Sequence, residues 1–261
     1  PVEQARNMLQ PYRVQRAVIL AAGASSRMRP VTDNLPKPMV TVGKKRLIET
    51  QLDALLDAGI SDITIVRGYK GEAFDVLLSD YPSIKFIDSP AWRNSGAIVS
   101  AAQAVHLLAN AYLIEGDLFI AGQNIIRPYE YRTTFCGVEC TDSEQVNQDW
   151  FFLADSQRKI SNLEFGNCAA IPAAQAYSHN NAYRFVGIMY WSERDAKQLA
   201  EDLPIVLRDS RYQQQFVESV PFDVVTGDYA IFARPLASSD AVEVDTYQEL
   251  LRLRAQRRQS P

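Results

Sequence analysis

The sequence predicts a doubly wound α/β fold: a mostly parallel mixed sheet with antiparallel additions in its second half. Three observations predict it. Apolar runs of strand length alternate four times with stretches of helical spacing in the first 120 residues, the pattern of a right-handed, doubly wound sheet. The first run, AVILAA at 17–22, is apolar without a break, as in a strand covered on both faces. Later strand-like runs follow one another with less helix between them, which predicts antiparallel additions to the same sheet.

In chain order, residues 1–16 are polar and weakly periodic. They read as a leader or linker with a short helix, able to join an upstream module. Residues 17–258 then form one domain. The strand at 17–22 ends in a loop of small residues, and Pro30, Pro36 and Pro38 keep the next stretch irregular. Leu47, Ile48, Leu52, Leu55 and Leu56 mark a helix over 46–58, stopped by Gly59. Strands follow at 63–66, 84–87 and 112–115, the last ending at Gly116-Asp117. Between them lie a short helix at 71–79, with Phe74, Leu77 and Leu78 on one side, and a longer one at 97–109. The second half predicts strands at 133–139, 150–153, 159–165 and 184–191, and helices at 192–202, 211–219 and 246–257. The segment 166–182, rich in Ala, Asn and Gly, is expected to be a loop that closes over substrate.

Composition narrows the function. Lys plus Arg is 27 against 31 for Asp plus Glu, which argues against a general nucleic-acid binder. Three cysteines, Cys136, Cys140 and Cys168, are an odd number. That count speaks against a disulfide framework and for a reducing cytoplasm. Two histidines, His106 and His179, argue against a His-rich zinc site and leave few partners for a His-based triad. No apolar run approaches the length of a membrane span, and the N-terminus lacks a signal-peptide pattern.

The stretch that carries chemistry is Leu20-Ala-Ala-Gly-Ala-Ser-Ser-Arg-Met-Arg-Pro30, followed by Leu35-Pro-Lys-Pro38. Ligands of open α/β sheets sit at the C-terminal ends of the strands. A small-residue loop there can approach phosphates through its backbone N–H groups. Arg27 and Lys37 add positive charge, the Arg as a fork and the Lys as a point. Neither GxGxxG nor GxxxxGK[ST] is present, so this is neither a dinucleotide fingerprint nor a Walker loop.

The combination resembles the nucleotidyltransferase family, whose members join a nucleoside triphosphate to a phosphorylated small molecule. The family's LAAGxGxRxxPxTxxxPKxxxxV pattern reads here LAAGASSRMRPVTDNLPKPMVTV, with Ser25 where a second Gly is usual. The likeness continues through Leu47-Ile48-Glu49, the 59–69 stretch, Glu115-Gly116-Asp117, Val186-Gly187 and Val242-Glu243-Val244-Asp245. It implies a Rossmann-like nucleotidyltransferase fold. It further implies Mg²⁺ held by Asp117 and Asp245, with Arg27 and Lys37 as the catalytic cations. The nucleotide would lie against Leu20, Ala21, Ala22, Gly23, Ala24, Ser25 and Ser26, and against Gly68, Tyr69, Gly96 and Ala97.

Within the family the chain looks most like the small cytidylyltransferases, with CTP as donor and phosphocholine as the first-choice acceptor. Trp150, in Asp149-Trp150-Phe151, offers an aromatic face to an ammonium. Phe216 and Glu218 would supply a further wall and an anion. Choline-type members tend to carry two Asn where this chain has Gly96-Ala97, and a Trp near 213–218 that is absent here. 2-Aminoethylphosphonate is therefore a rival acceptor, and a sugar 1-phosphate a third. A non-catalytic nucleotide-binding domain and a related glycosyltransferase are the alternatives, but the latter's Asp-x-Asp motif is missing at Asp117. A fusion partner or a homo-dimer is compatible with the leader.

Overall fold

The computed structural model describes residues 2–140, 149–166, 181–224 and 228–259. The first half carries β1 (Arg16–Ala21), a small hairpin of β2 (Thr41–Val42) and β3 (Lys45–Arg46), β4 (Asp62–Arg67), β5 (Lys85–Asp88), β6 (Ala111–Glu115) and β7 (Leu118–Ile120). The second half adds β8 (Thr134–Glu139), β9 (Asp149–Ala154), β10 (Ile160–Gly166), β11 (Asn181–Trp191), β12 (Phe232–Leu236) and β13 (Ala241–Glu243). The helices are α1 (Val2–Leu9), α2 (Leu47–Asp57), α3 (Ala97–Gln103), α4 (Glu193–Val206) and α5 (Tyr247–Gln259).

β1 lies at the centre, parallel to both β4 and β6, and β4 is parallel to β5. The main path runs β10-β9-β11-β6-β1-β4-β5, with β8 branching from β11 and carrying β12 on its other side. β11 joins antiparallel to β6, β8 and β9, and β9 to β10. The mixed sheet with antiparallel additions is thus as the sequence predicts. Val18 and Ile19 are both fully buried, because β1 has a core on each face. Ile19 packs with Ile48, Leu52 and Leu55 of α2, and Val18 with Ile98 of α3 and Leu199 of α4. Both faces of a parallel strand are shielded in this way.

The chain before β1 is tied to the sheet. Val14 is buried, its N–H donates to the Pro128 carbonyl, and the Gln15 N–H donates to the Asn110 carbonyl. No helix of the described residues is long and apolar enough to cross a membrane.

Several expected elements differ. Residues 71–79 wind as 3₁₀ turns that bury Phe74 and Leu77 and leave Leu78 exposed. The helix expected at 97–109 stops at Gln103 and continues as one 3₁₀ turn. The helix expected at 211–219 is absent. Two 3₁₀ turns, Ser210–Tyr212 and Val217–Ser219, flank a turn at 213–215 that leads into an extended Phe216. The carbonyls of Gln213 and Gln215 accept from the Gly96 and Ile98 N–H groups instead of bonding within a helix. β7 and β12 escape the sequence reading, β7 because it has three residues and β12 because it contains Pro235, which suits an edge strand. Cys136 is a buried free thiol, whereas Cys140 is disulfide-bonded, a correction to the expectation of reduced cysteines. Residues 167–180, with Cys168, His179 and most of the expected closing loop, lie outside the described residues.

Candidate active site

The C-terminal ends of β1, β4 and β6 open on one side of the sheet, as expected for a ligand site in an open α/β fold. A cavity of about 530 Å³ lies there. Its floor is the loop after β1. A β-carbon on Gly23 would meet nothing within 4 Å, so this stretch of backbone is open to a ligand. Ser25 stands at φ +49°, the left-handed region glycine enters without steric cost. Its carbonyl accepts from the Met28 N–H and the Thr32 hydroxyl, bonds that hold the loop in that turn.

Gly116 shows why a small residue follows β6. Its N–H donates to the Leu20 carbonyl, and a β-carbon there would lie 2.8 Å from that same oxygen. α2 braces the turn from behind. Gln51 Nε2 donates to the carbonyls of Leu118 and Glu115, and the Ile120 N–H donates to the Thr50 hydroxyl. The turn thereby presents Asp117.

Lys37 is buried at 3% exposure in the turn between Pro36 and Pro38. Its Nζ lies 2.8 Å from Asp117 Oδ2 and 2.7 Å from Asp245 Oδ1. Arg27, itself exposed, places a guanidinium nitrogen 3.0 Å from the same Asp245 oxygen. Burial alone pulls the Lys37 pKa down, but the two aspartates outweigh it and hold the ammonium above its ordinary range. Burial likewise pushes the Asp245 carboxyl up, and Lys37 and Arg27 reverse this to a net lowering. Asp245 does not cap α5. Thr246 and Glu249 form that capping box, with Glu249 Oε2 accepting from the Thr246 N–H and the Thr246 hydroxyl from the Glu249 N–H. The Asp245 side chain is left for the cations.

Two more carboxylates were missed by the sequence reading. Glu115 and Glu243 each bring an oxygen to within 4.8 Å of Asp117 and of each other. A signal existed: Glu115-Gly-Asp117 and Glu243-Val-Asp245 both place acids two apart, the spacing that puts side chains on one face of a strand. Pairing of β13 with β7 sets the two doublets side by side. Burial, then the neighbouring acids, pushes the Glu115 and Glu243 carboxyls well above the usual range. Asp117 Oδ1 is buried and has no hydrogen-bond partner. Beyond burial, the shift of the Glu115 and Glu243 carboxyls reflects four acids sharing two cations. An oxygen-rich site with an orphaned acceptor fits a hard divalent cation.

The far wall is aromatic and acidic. Trp150 packs at 5.4 Å from Phe165 and 5.7 Å from Phe216, centroid to centroid. Asp149 and Glu218 stand beside them. Glu218 is 2% exposed and no cation among the described residues pairs with it. Burial, with Asp117 nearby, pushes its pKa up to about 7. Trp92, Ser95, Gly96 and Ala97 complete the rim.

The expected site residues thus divide by position. Leu20, Ala21, Ala22, Gly23, Ser25, Arg27, Lys37, Gly96, Ala97, Asp117, Trp150, Phe216, Glu218 and Asp245 line the cavity. Ala24, Ser26, Gly68 and Tyr69 do not. Gly68 and Tyr69 stand behind the loop: the Tyr69 N–H donates to the Ala22 carbonyl and its hydroxyl to the Thr32 and Asp33 carbonyls. A β-carbon on Gly68 would press within 2.8 Å of both Ala22 O and Trp92.

A small-residue loop, a buried lysine and an acid pair at the C-terminal ends of the parallel strands suit a nucleotide site, and the family comparison agrees. Residues 16–152 match the nucleotidyl transferase family, and the chain belongs to it. Several of its relatives are named as cytidylyltransferases, and others as mannose-1-phosphate guanyltransferases. One, a 2-aminoethylphosphonate cytidylyltransferase of Lancefieldella rimae, is 29% identical over 239 residues, covering 90% of this chain and 89% of that protein. A CTP:phosphoglutamine cytidylyltransferase of Campylobacter jejuni is 30% identical over 237 residues, 88% of this chain and 92% of its own. The solved CTP:phosphocholine cytidylyltransferase of Streptococcus pneumoniae superposes with a TM-score of 0.81 at 25% identity, over 94% of this chain and 99% of that one.

Proposed function

We propose that the protein is a Mg²⁺-dependent cytidylyltransferase, moving CMP from CTP to a small amino-alkyl phosphate or phosphonate. The observation that carries this reading is one cavity lined by two chemically distinct groups. Lys37, Arg27, Asp117 and Asp245 meet beside the loop, and Glu218, near enough to Asp117 to feel its charge, lines the same cavity as Trp150, Phe165 and Phe216. The first group suits phosphates, and the second suits a cationic head.

In the reaction an acceptor phosph(on)ate oxygen attacks the α-phosphorus of CTP. The new P–O bond forms as the bond to pyrophosphate breaks, and no covalent enzyme intermediate is needed. Asp117 and Asp245, with Glu115 and Glu243 beside them, would hold the Mg²⁺, which when bound neutralises phosphate charge. Backbone N–H groups of the Leu20–Ser25 stretch orient the nucleotide. Lys37, fixed by burial, would bridge the α-phosphate and the acceptor oxygen. Exposed Arg27 reaches the β- and γ-phosphates as they leave. Catalysis is then positioning plus charge neutralisation.

Phosphocholine would draw on Trp150, Phe165 and Phe216, and 2-aminoethylphosphonate on Glu218 as well. A quaternary ammonium has no N–H to offer a buried carboxylate, whereas a primary one has three donors. The burial of Glu218 favours the primary ammonium, and the L. rimae relative is named for such an acceptor. The test is pyrophosphate release with CTP and Mg²⁺ against phosphocholine, 2-aminoethylphosphonate and glucose 1-phosphate, each separately. Release with an amino-alkyl acceptor is expected. Faster release with glucose 1-phosphate, or with another nucleoside triphosphate, would overturn the reading.

A further inference from the structure

Gly96 was expected to lie against the nucleotide, but its surroundings point elsewhere. Its backbone, φ −79° and ψ 179°, is open to any residue, so the requirement for glycine is one of space. A β-carbon on Gly96 would lie 2.6 Å from the Gln214 carbonyl carbon and oxygen and 2.8 Å from the Gln215 oxygen. These are backbone atoms, which cannot swing aside as a side-chain tip can. The two segments are also clasped by hydrogen bonds. The Gly96 N–H donates to the Gln213 carbonyl at 2.6 Å, the Ile98 N–H to the Gln215 carbonyl at 3.2 Å, and Gln214 Nε2 to the Asn94 carbonyl at 2.8 Å.

The clasped segment leads directly into Phe216 and Glu218. Phe216 in turn rests on Trp150 of β9. The position of the far wall is therefore set from the start of α3, across the cavity mouth. We infer that Gly96 is a positioning residue for the acceptor: its missing side chain lets the 213–218 segment close against α3, placing Phe216 and Glu218. This rests on reading that wall as the acceptor side. Gln214 serves as the second clasp, through its bond to the Asn94 carbonyl.

The split between substrates tests this. In Gly96→Ala the acceptor KM rises about tenfold or more, while the CTP KM stays within about twofold, the pattern of lost acceptor binding alone. Gln214→Ala, which introduces no clash, shifts the acceptor KM the same way by about two- to fivefold. Amide hydrogen exchange supplies an arm independent of acceptor identity. Protection of 213–218 falls about tenfold in Gly96→Ala, and the β1, β4 and β6 amides are unchanged. A rise in the CTP KM with the acceptor KM intact would return Gly96 to the nucleotide and overturn the inference, as would unaltered exchange at 213–218. A wild-type protein inert toward amino-alkyl acceptors would instead count against the proposed function, and the exchange result would still decide whether the clasp exists.

Discussion

Gly187 stands against Glu115 so closely that a β-carbon on it would lie 2.7 Å from Glu115 Oε2. Gly187 is at φ +61°, in the irregular stretch between Phe185 and Met189 of β11. Before it, Asn181 to Arg184 pair with β9; after it, Ile188 to Trp191 pair with β6. The kink thus joins the pairing with β9 to the pairing with β6 and clears room for a carboxylate facing the cavity. Gly187→Ala adds a left-handed strain of about 1–2 kcal/mol and displaces Glu115. Urea unfolding is expected to show that loss, and kcat to fall about tenfold. Unchanged kcat with the stability loss present would mean that Glu115 has no part in turnover.

Lys37 is the buried cation between two aspartates. Lys37→Met removes the charge and keeps most of the stem's packing. Turnover should fall about 10²- to 10³-fold, the scale of losing one preorganised electrostatic contact. Steady-state kinetics checks this, with a calorimetric trace to show that the variant is folded.

Chelation tests the carboxylate site. EDTA should abolish pyrophosphate release, and excess Mg²⁺ should restore it. Asp117→Asn keeps the shape but removes a charge next to Glu115 and Glu243. Its half-saturating Mg²⁺ concentration should rise at least about tenfold. Full activity in EDTA would remove the metal from the proposed mechanism.

Glu218 gives a pH signature. Burial, with Asp117 nearby, raises its folded-state pKa from 4.5 to about 7. Between those values the folded protein binds more protons than the unfolded chain, so stability falls as pH rises through this window. The contribution is at most about 3 kcal/mol, lost in full above the folded pKa. Urea midpoints at pH 5 and pH 8 should therefore differ less in Glu218→Gln than in the wild type. Equal differences in the two proteins would show that Glu218 ionises without cost.

Arg234 and Glu130 form a buried pair away from the site. The Arg234 guanidinium donates to Glu130, to the Tyr112 hydroxyl at 3.2 Å and to the Ile125 carbonyl at 2.8 Å, and it reaches the Cys136 sulfur. Removing one member leaves a buried charge unpaired. Glu130→Gln should cost about 3–5 kcal/mol in urea unfolding without altering the CTP KM. A loss under about 1 kcal/mol would mean that the guanidinium's other acceptors suffice.

Much of the fold was readable because its parallel strands are covered on both faces. AVILAA needs no partner to announce itself, and α2 shows its apolar stripe in one turn after another. Arg27, Lys37 and Asp117 were readable because they belong to a continuous motif and a strand end. The 211–219 segment was misread for the opposite reason. Its pattern permits a helix, but its carbonyls are taken by Gly96 and Ile98, more than 100 residues earlier in the chain.

By itself the sequence determined the alternation of strand and helix, the small-residue loop after β1, and the charges available to it. These are local properties, set by apolar spacing and by residues that leave backbone accessible. Only the tertiary structure decided which charges meet. Asp245 reaches Lys37 because β13 pairs with β7, Glu115 faces the cavity because Gly187 leaves space, and Glu218 is buried near two further carboxylates, Asp117 and Glu115. A carboxylate's partners and its exposure depend on neighbours brought close by packing, and no spacing along the chain encodes those distances.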